Sequence, residues 1–140
     1  KAGYIETPSP IAELCRGVDG CAPPYRGYHH HRFIVWVDCD QLRFVSKYPL
    51  IEYLDTEDVD FPEILRRGSQ HWNTHYIWRD AINAKHLQNG FEFHLPNDYG
   101  LVLRDAAKRS FQSNNAFYAI MMAAWDESQR RKRAPELSIA

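Results

Sequence analysis

The stretch that decides the fold is HHHRFIVWVDCDQLRF, residues 29–44. Within it, residues 33–37 are five consecutive apolar residues, β-branched or aromatic, with charged residues on both sides. Such a run is typical of a strand that is buried on both faces, so we expect a central strand of a sheet here. The apolar residues of the segment 42–45 continue the pattern, which predicts a second strand after a turn at residues 38–41.

The rest of the chain alternates between helix and strand patterns. Ser69 is a candidate N-cap for a helix that ends at Asn89-Gly90. FEFHL, residues 91–95, alternates apolar and polar residues as a half-buried strand does. A long helix is expected over residues 101–131, with a break at residues 113–115 where a second half begins. The second half carries apolar residues at i, i+3 and i+4 spacing, namely Phe117, Ile120, Met121, Ala124 and Trp125.

These elements predict an α+β fold in which two or three helices pack on a small mixed or antiparallel sheet. Residues 29–133 form the single domain of this prediction, and residues 134–140 are a C-terminal tail. Residues 1–28 are rich in proline and glycine and predict an extended N-terminal arm.

The arm carries apolar anchors that we expect to bind a surface: Tyr4, Ile5, Tyr25 and Tyr28. Ordering a free arm costs about 1–2 kcal/mol per residue, so a broad contact surface is needed to hold it. Either the domain's own sheet or another subunit would serve, and we favour another subunit. The sequence therefore predicts a protein partner or a homo-oligomer.

The amino-acid composition and the charge limit the classes of function that are possible for this chain. The chain has 140 residues, 44% of them apolar and 14% aromatic, and a formal net charge of -1. A near-neutral chain has no overall field that attracts nucleic acid, and no apolar run is long enough for a membrane span. The charge is uneven, however, because four consecutive basic residues end the long helix: Arg130, Arg131, Lys132 and Arg133. This basic helix end predicts nucleic-acid binding as one alternative function.

Asp38 and Asp40 are the candidate catalytic residues. Two carboxylates one residue apart at the end of a strand point to the same side and can share a divalent cation. The segment FIVWVDCDQ locally resembles the metal-holding strand of nucleotide-sugar glycosyltransferases and the first motif of haloacid-dehalogenase-type phosphatases. The segments that these families place around the motif are missing here, so the resemblance covers only about ten residues. It implies a small metal-dependent phosphoryl-transfer or nuclease-type enzyme.

Histidines supply further candidate metal ligands. His29 and His31 lie on one face if residues 29–31 are extended. His71 and His75, spaced i and i+4, would lie close together on the predicted helix. In both pairs ordinary packing or a solvated strand edge is the alternative. We expect no cofactor, with a divalent metal ion as the one exception.

The cysteine pattern bears on whether the protein belongs to an oxidising compartment. Cys15 and Cys21 bracket a five-residue loop that a disulfide would close, and Cys39 is expected to be a buried thiol in the strand. Together with the start at Lys1, a disulfide would suit a processed chain that is secreted or organellar.

Taken together, these features favour a non-catalytic interaction or accessory subunit. The metal-dependent enzyme is the first alternative and nucleic-acid binding is the second.

Overall fold

The computed structural model describes residues 1–55, 66, 68 and 72–133, and it describes the side chains of these residues except those of 114–118 and 121. Within this part of the chain the fold has five strands, two α-helices and one short 3₁₀ helix. The strands are β1 Ala2–Pro8, β2 Phe33–Asp38, β3 Gln41–Ser46, β4 Asn73–Arg79 and β5 Ala84–Leu87, and the helices are α1 Pro10–Leu14, the 3₁₀ helix Pro49–Tyr53 and α2 Tyr99–Arg133.

The strands form two small sheets, and the predicted α+β class is confirmed. One sheet has the order β2-β3-β5, and the other pairs β1 with β4. The β2–β3 pair is antiparallel and β3–β5 is parallel, so the larger sheet is mixed, as expected. The hairpin predicted by the sequence is present, with Asp38 paired to Gln41 around a two-residue turn.

Among the described strands β2 lies at the edge of its sheet, so the prediction of a central position is wrong. Both of its faces are nevertheless covered. Ile34 and Trp36 belong to the main core, which includes residues of α1 and α2. On the other face Val35 and Val37 belong to a second cluster with Tyr76 of β4. A short sheet covered from two directions therefore produces the same continuous apolar run as a strand in the middle of a large sheet.

Cys39 does not lie in the strand. It occupies the turn between β2 and β3, with a φ of +56°, and it is exposed. The two-residue turn requires this left-handed backbone, so the expected buried thiol is wrong.

The helix predicted after Ser69 is wrong over its described part. Residues 73–79 form β4 and residues 84–87 form β5, whereas Ser69 itself lies outside the described residues. Segment 73–79 is rich in β-branched and aromatic residues, which favour strands, and β1 pairs with it over seven positions. The strand predicted at residues 91–95 is also wrong, since only Phe93 makes a bridge and Phe91 is 79% exposed.

Helix α2 runs without interruption from Tyr99 to Arg133, so the predicted break at residues 113–115 is wrong. Its first three turns pack on the domain and bury one stripe of side chains: Tyr99, Leu103, Ala106 and Ser110. A helix of 35 residues is about 52 Å long, roughly three times the span of that stripe.

The N-terminal segment lies on its own domain. Strand β1 pairs with β4, and Ile11 and Leu14 of α1 are each only 2% exposed. This segment is therefore held by the rest of its own chain, whereas the sequence analysis favoured another subunit. Among the described helices, none is both long and apolar enough to cross a membrane.

We predict that Leu14→Ala destabilises the protein by about 2–5 kcal/mol, because it leaves a cavity in the main core. Urea denaturation measures the loss. Leu101→Ala is the matched control, since Leu101 is 68% exposed and Leu14 is 2% exposed. The control should change stability by less than about 0.5 kcal/mol. An equally small effect of Leu14→Ala would show that α1 is not part of the core.

The buried hydroxyl group of Tyr99 leads us to predict that the protein loses stability at alkaline pH. Its hydroxyl donates to the Ser46 carbonyl oxygen at 2.9 Å and accepts from the Tyr48 backbone N–H at 3.1 Å. Burial raises the pKa of Tyr99 to about 12, from an ordinary value of about 10. At alkaline pH the Tyr99 hydroxyl therefore stays protonated in the folded state and loses its proton in the unfolded state. The resulting stability is complete below about pH 10 and is lost as the pH rises to about 12.

Urea denaturation over this pH range tests the prediction, with Tyr99→Phe as the comparison. The variant has a lower stability at neutral pH but lacks the titrating group, so its stability should fall less steeply with pH. Parallel pH profiles for the two proteins would contradict the assignment.

Candidate functional site

The two candidate catalytic aspartates serve different structural roles. Asp38 accepts from Arg43 at 2.7 Å and from Arg109 of α2 at 2.9 Å, and its side chain is 11% exposed. Asp40 is exposed in the turn, where its carbonyl oxygen accepts from the Tyr76 hydroxyl. Two arginines neutralise Asp38, so this carboxylate joins the sheet to α2 and does not offer a free charge to a cation.

A different cluster forms around Glu13, a residue that the sequence analysis did not select. Its side chain is 1% exposed. One carboxylate oxygen lies 2.5 Å from His31 Nδ1, and the other accepts from Lys47 Nζ at 2.7 Å. The Tyr28 backbone N–H also donates to it, at 3.2 Å. The carboxylate therefore joins α1, the histidine segment and the residue that follows β3.

This arrangement orients both side-chain partners of the Glu13 carboxylate. Because His31 Nδ1 faces the carboxylate, its Nε2 is the nitrogen left for other contacts. Lys47 Nζ also donates to the Tyr28 carbonyl oxygen at 2.9 Å. Burial, with the nearby charges of Glu13 and Asp19 as smaller causes, raises the pKa of Tyr28. Both partners are thus held in one orientation by groups that are themselves buried or bonded.

His31 and Lys47 line a cavity of about 360 Å³, which we call the histidine pocket. This volume is within the range of small-molecule sites. The pocket is also lined by Tyr25, His29, Tyr48 and Glu52. Four predicted site residues therefore meet here, since His29, His31 and Tyr25 line the pocket and Tyr28 contacts Glu13 behind it.

Glu52 completes the pocket wall and is held by arginines. It accepts from Arg16 Nη1 at 2.6 Å and from the Arg26 backbone N–H at 2.8 Å. The Arg26 side chain donates to the carbonyl oxygens of Leu14 and Leu54. His29 is positioned from its backbone, because its N–H donates to Asp19 at 2.9 Å.

The predicted histidine metal sites are not assembled in the described part of the chain. No group of three or more histidine, cysteine, aspartate or glutamate side chains is close enough there to hold a metal ion. His75 lies on β4, where its Nδ1 is 2.5 Å from the Tyr4 hydroxyl, and His71 lies outside the described residues. The helical spacing that suggested this pair therefore does not apply to His75.

The predicted binding residues of the arm are divided between two places. Tyr4 and Ile5 lie on β1, where Tyr4 is 49% exposed and Ile5 packs against the second apolar cluster. Tyr25 is 54% exposed at the histidine pocket. The thiols of Cys15 and Cys21 are both free, the first buried and the second exposed.

The far part of α2, residues 111–133, exposes several large apolar side chains. Ile120 is 65% exposed, Met122 42% and Trp125 61%. The basic residues predicted to contact nucleic acid follow at its end, and Glu127 pairs with Arg130 and Arg131 on the helix itself. We call this segment the projecting half-helix.

Sequence reasoning missed Glu13 and Lys47 because each is an isolated charged residue far from its partner. The separations along the chain are 18 residues for the bond from Glu13 to His31 and 34 residues for the bond to Lys47. The one local signal is Gly27, whose φ is +66° and which packs directly on Glu13. A glycine beside a histidine run is a weak indication, and no spacing rule leads from it to the carboxylate.

No protein-family model matches the chain, and comparisons with curated proteins and with solved structures find no significant similarity.

We predict that Gly27→Ala destabilises the protein much more than Gly90→Ala. Both glycines have a left-handed φ, of +66° and +89°, which costs an alanine about 1–2 kcal/mol. A Cβ at Gly27 would also overlap the Glu13 carboxylate and lie 2.7 Å from Lys47 Nζ, whereas a Cβ at Gly90 meets nothing within 4 Å. Overpacking adds about 1–3 kcal/mol at Gly27.

Thermal and urea denaturation of the two variants provide the measurement. Gly90→Ala isolates the backbone cost, so the difference between the variants reports the packing around Glu13. Equal losses would mean that the Glu13 cluster can move aside freely.

Proposed function

We propose that the protein is a non-catalytic interaction subunit, and that the projecting half-helix is the element through which it assembles. The observation that carries this proposal is the exposure of large apolar side chains on a helix that extends beyond its own domain. Monomeric soluble proteins rarely leave contiguous apolar surface of this kind uncovered, and such patches typically mark interaction sites.

The spacing of the exposed side chains supports a helix as the binding partner. Ile120 and Ala124, at i and i+4, lie on one face of the helix, and Trp125 lies beside Ala124 about 100° further round; all three are exposed. Amphipathic helices dock through such apolar faces, either into a groove or against another helix.

A second copy of this chain is the occupant that we propose. In an antiparallel pair the two basic ends lie at opposite ends of the interface, separated by about 30 Å along the helix axis. That separation exceeds the Debye length at physiological salt, so repulsion between the basic ends is largely screened. Alanines at 119, 123 and 124 are exposed beside the larger side chains and allow two helices to approach closely.

The enzyme alternative has less support. It requires Asp38 as a metal ligand or nucleophile, and Asp38 is bound by two arginines. A function as an interaction subunit does not depend on a side chain that other residues already bind.

The test is self-association of the whole chain, measured by sedimentation equilibrium. We expect a monomer–dimer equilibrium for the native chain. Replacing Ile120 and Trp125 together by alanine should weaken it about tenfold or more, because large central side chains dominate helix interfaces. Alanine preserves the helix, so the folded domain should keep its stability.

Leu101→Ala is the matched control, because Leu101 is on the same helix and is 68% exposed, against 65% for Ile120. It should leave the dimer unchanged. A chain that is monomeric at all concentrations would overturn the second copy as occupant, as would equal effects of the test and control variants.

A further inference from the structure

We infer that the outer edge of β5 binds an extended peptide segment of a partner protein, and that this segment places an aromatic side chain against His86. The edge is separate from the projecting half-helix, and the inference does not depend on the function proposed for that helix. It rests on the outward main-chain groups of β5 and on a stack of rings that ends at His86.

The main chain of β5 offers hydrogen-bonding groups on one side. β5 is the last strand in the order β2-β3-β5. The Asn83 carbonyl oxygen accepts from the Leu42 N–H at 2.8 Å, so residues 83, 85 and 87 face β3 and the main-chain groups of Ala84 and His86 point away from it. Within the described part of the chain nothing bonds to these outward groups. The main chain of another strand is the natural match for such alternating donors and acceptors.

The free stretch of this edge is short. The Gln88 N–H donates to Glu92 Oε2 at 2.6 Å, so the edge is closed beyond His86. Ala84 and His86 each contribute one N–H and one C=O group. Each backbone hydrogen bond adds only a small net free energy, because it replaces a bond to water. A side-chain contact is therefore needed to select the peptide.

The ring of His86 supplies this contact. Phe44 of β3 and His86 have ring centroids 4.8 Å apart and planes 6° apart, which matches the spacing of neighbouring strands, about 4.7–4.9 Å. Phe33 lies 5.7 Å from each ring and nearly perpendicular to both, so the stacked pair is held in place. No further ring contacts His86 among the described residues. An aromatic residue opposite His86 on an added strand would lie one strand spacing further along and would continue the stack.

Lys85 does not block the face that carries the rings. Exposed lysines on edge strands commonly prevent pairing with another chain. Successive side chains of a strand point to opposite faces, so Lys85 lies on the other face from His86. Its ammonium group is 3.8 Å from a Glu92 carboxylate oxygen on that side. Lys85 therefore leaves the ring stack accessible to an added strand.

A partner peptide fits the edge better than a second copy of this chain. In a two-fold symmetric antiparallel pair that uses both free residues, His86 would lie opposite Ala84 of the second copy. Alanine has no ring, so the outer face of the imidazole would stay uncovered. A peptide is free of this symmetry and can present an aromatic residue at that position.

Amide hydrogen exchange of the isotopically labelled whole chain, followed by NMR, tests the edge. In the free protein the amides of Ala84 and His86 should exchange fast and those of Lys85 and Leu87 slowly, because only the latter face β3. The probe is a capped heptapeptide of alternating valine and threonine with phenylalanine at its centre. At saturation it should slow exchange at Ala84 and His86 by about threefold or more and leave the other two amides nearly unchanged.

Peptide and protein variants test the ring contact. A peptide with alanine in place of the phenylalanine should bind about threefold to tenfold more weakly. His86→Leu keeps apolar packing against Phe44 and should reduce this difference to less than about twofold. Slow exchange at Lys85 and Leu87 in the variant reports that β5 is still paired. His30→Leu is the matched control and should keep the full difference, since His30 is exposed and precedes β2 at the opposite edge of the sheet.

Several outcomes would contradict the inference. Slow exchange of Ala84 and His86 in the free chain at every concentration would show that the edge is already covered and would overturn the site, as would the absence of saturable changes with the phenylalanine peptide. Protection that disappears on dilution would identify a second copy as the occupant and overturn the peptide.

Two further comparisons separate the main-chain contact from the ring contact. A peptide N-methylated at every residue cannot donate hydrogen bonds, so equal affinity of this peptide would overturn main-chain pairing. Equal affinities of the phenylalanine and alanine peptides, or equal effects of His86→Leu and His30→Leu, would overturn the ring contact.

Discussion

The rest of the structure depends on the buried carboxylate of Glu13. It joins three segments that are far apart in the chain, through His31, Lys47 and the Tyr28 backbone N–H. An ionised carboxylate buried without partners is strongly unfavourable, so these contacts must form together with the core. The core residue Leu14 follows Glu13 directly, and Gly27 packs on the carboxylate without a side chain. Burial of α1 and closure of the segment around Gly27 are thus one event.

The sequence predicted the elements whose signals are local. The continuous apolar run of residues 33–37 and the turn after it indicated the β2–β3 hairpin correctly, and the long helical pattern indicated α2. In segment 73–79 two local patterns competed. The N-cap signal at Ser69 and the i, i+4 spacing of His71 and His75 suggested a helix, whereas the β-branched and aromatic content favoured a strand. Pairing with β1, some 70 residues away along the chain, decides in favour of the strand.

The candidate site was less predictable for the same reason. His29 and His31 were selected as candidate metal ligands and Tyr25 as an apolar anchor of the arm, and all three line one pocket. Glu13, which orients His31, carries no motif, because its role arises only when α1 lies beside the histidine segment. Asp38 illustrates the opposite case. Its spacing from Asp40 suggested a cation site, but Arg109 reaches it from α2, 71 residues further along the chain.

The Glu13 network is difficult to explain by stability alone. A buried ion pair often contributes no more to stability than apolar side chains of similar volume, because desolvation of both charges offsets their attraction. A fold that needed only to hold α1 in place would be served as well by apolar residues at positions 13 and 47. Apolar replacements would, however, remove the Lys47 ammonium group from the wall of the histidine pocket and leave the His31 imidazole without the carboxylate that orients it. The charged residues at positions 13 and 47 thus place an oriented imidazole and an ammonium group at the wall of the histidine pocket. At the other end of the molecule, the projecting half-helix exposes apolar side chains that the domain does not need for folding. The two surfaces lie on different parts of the fold, so a substitution in one need not alter the other.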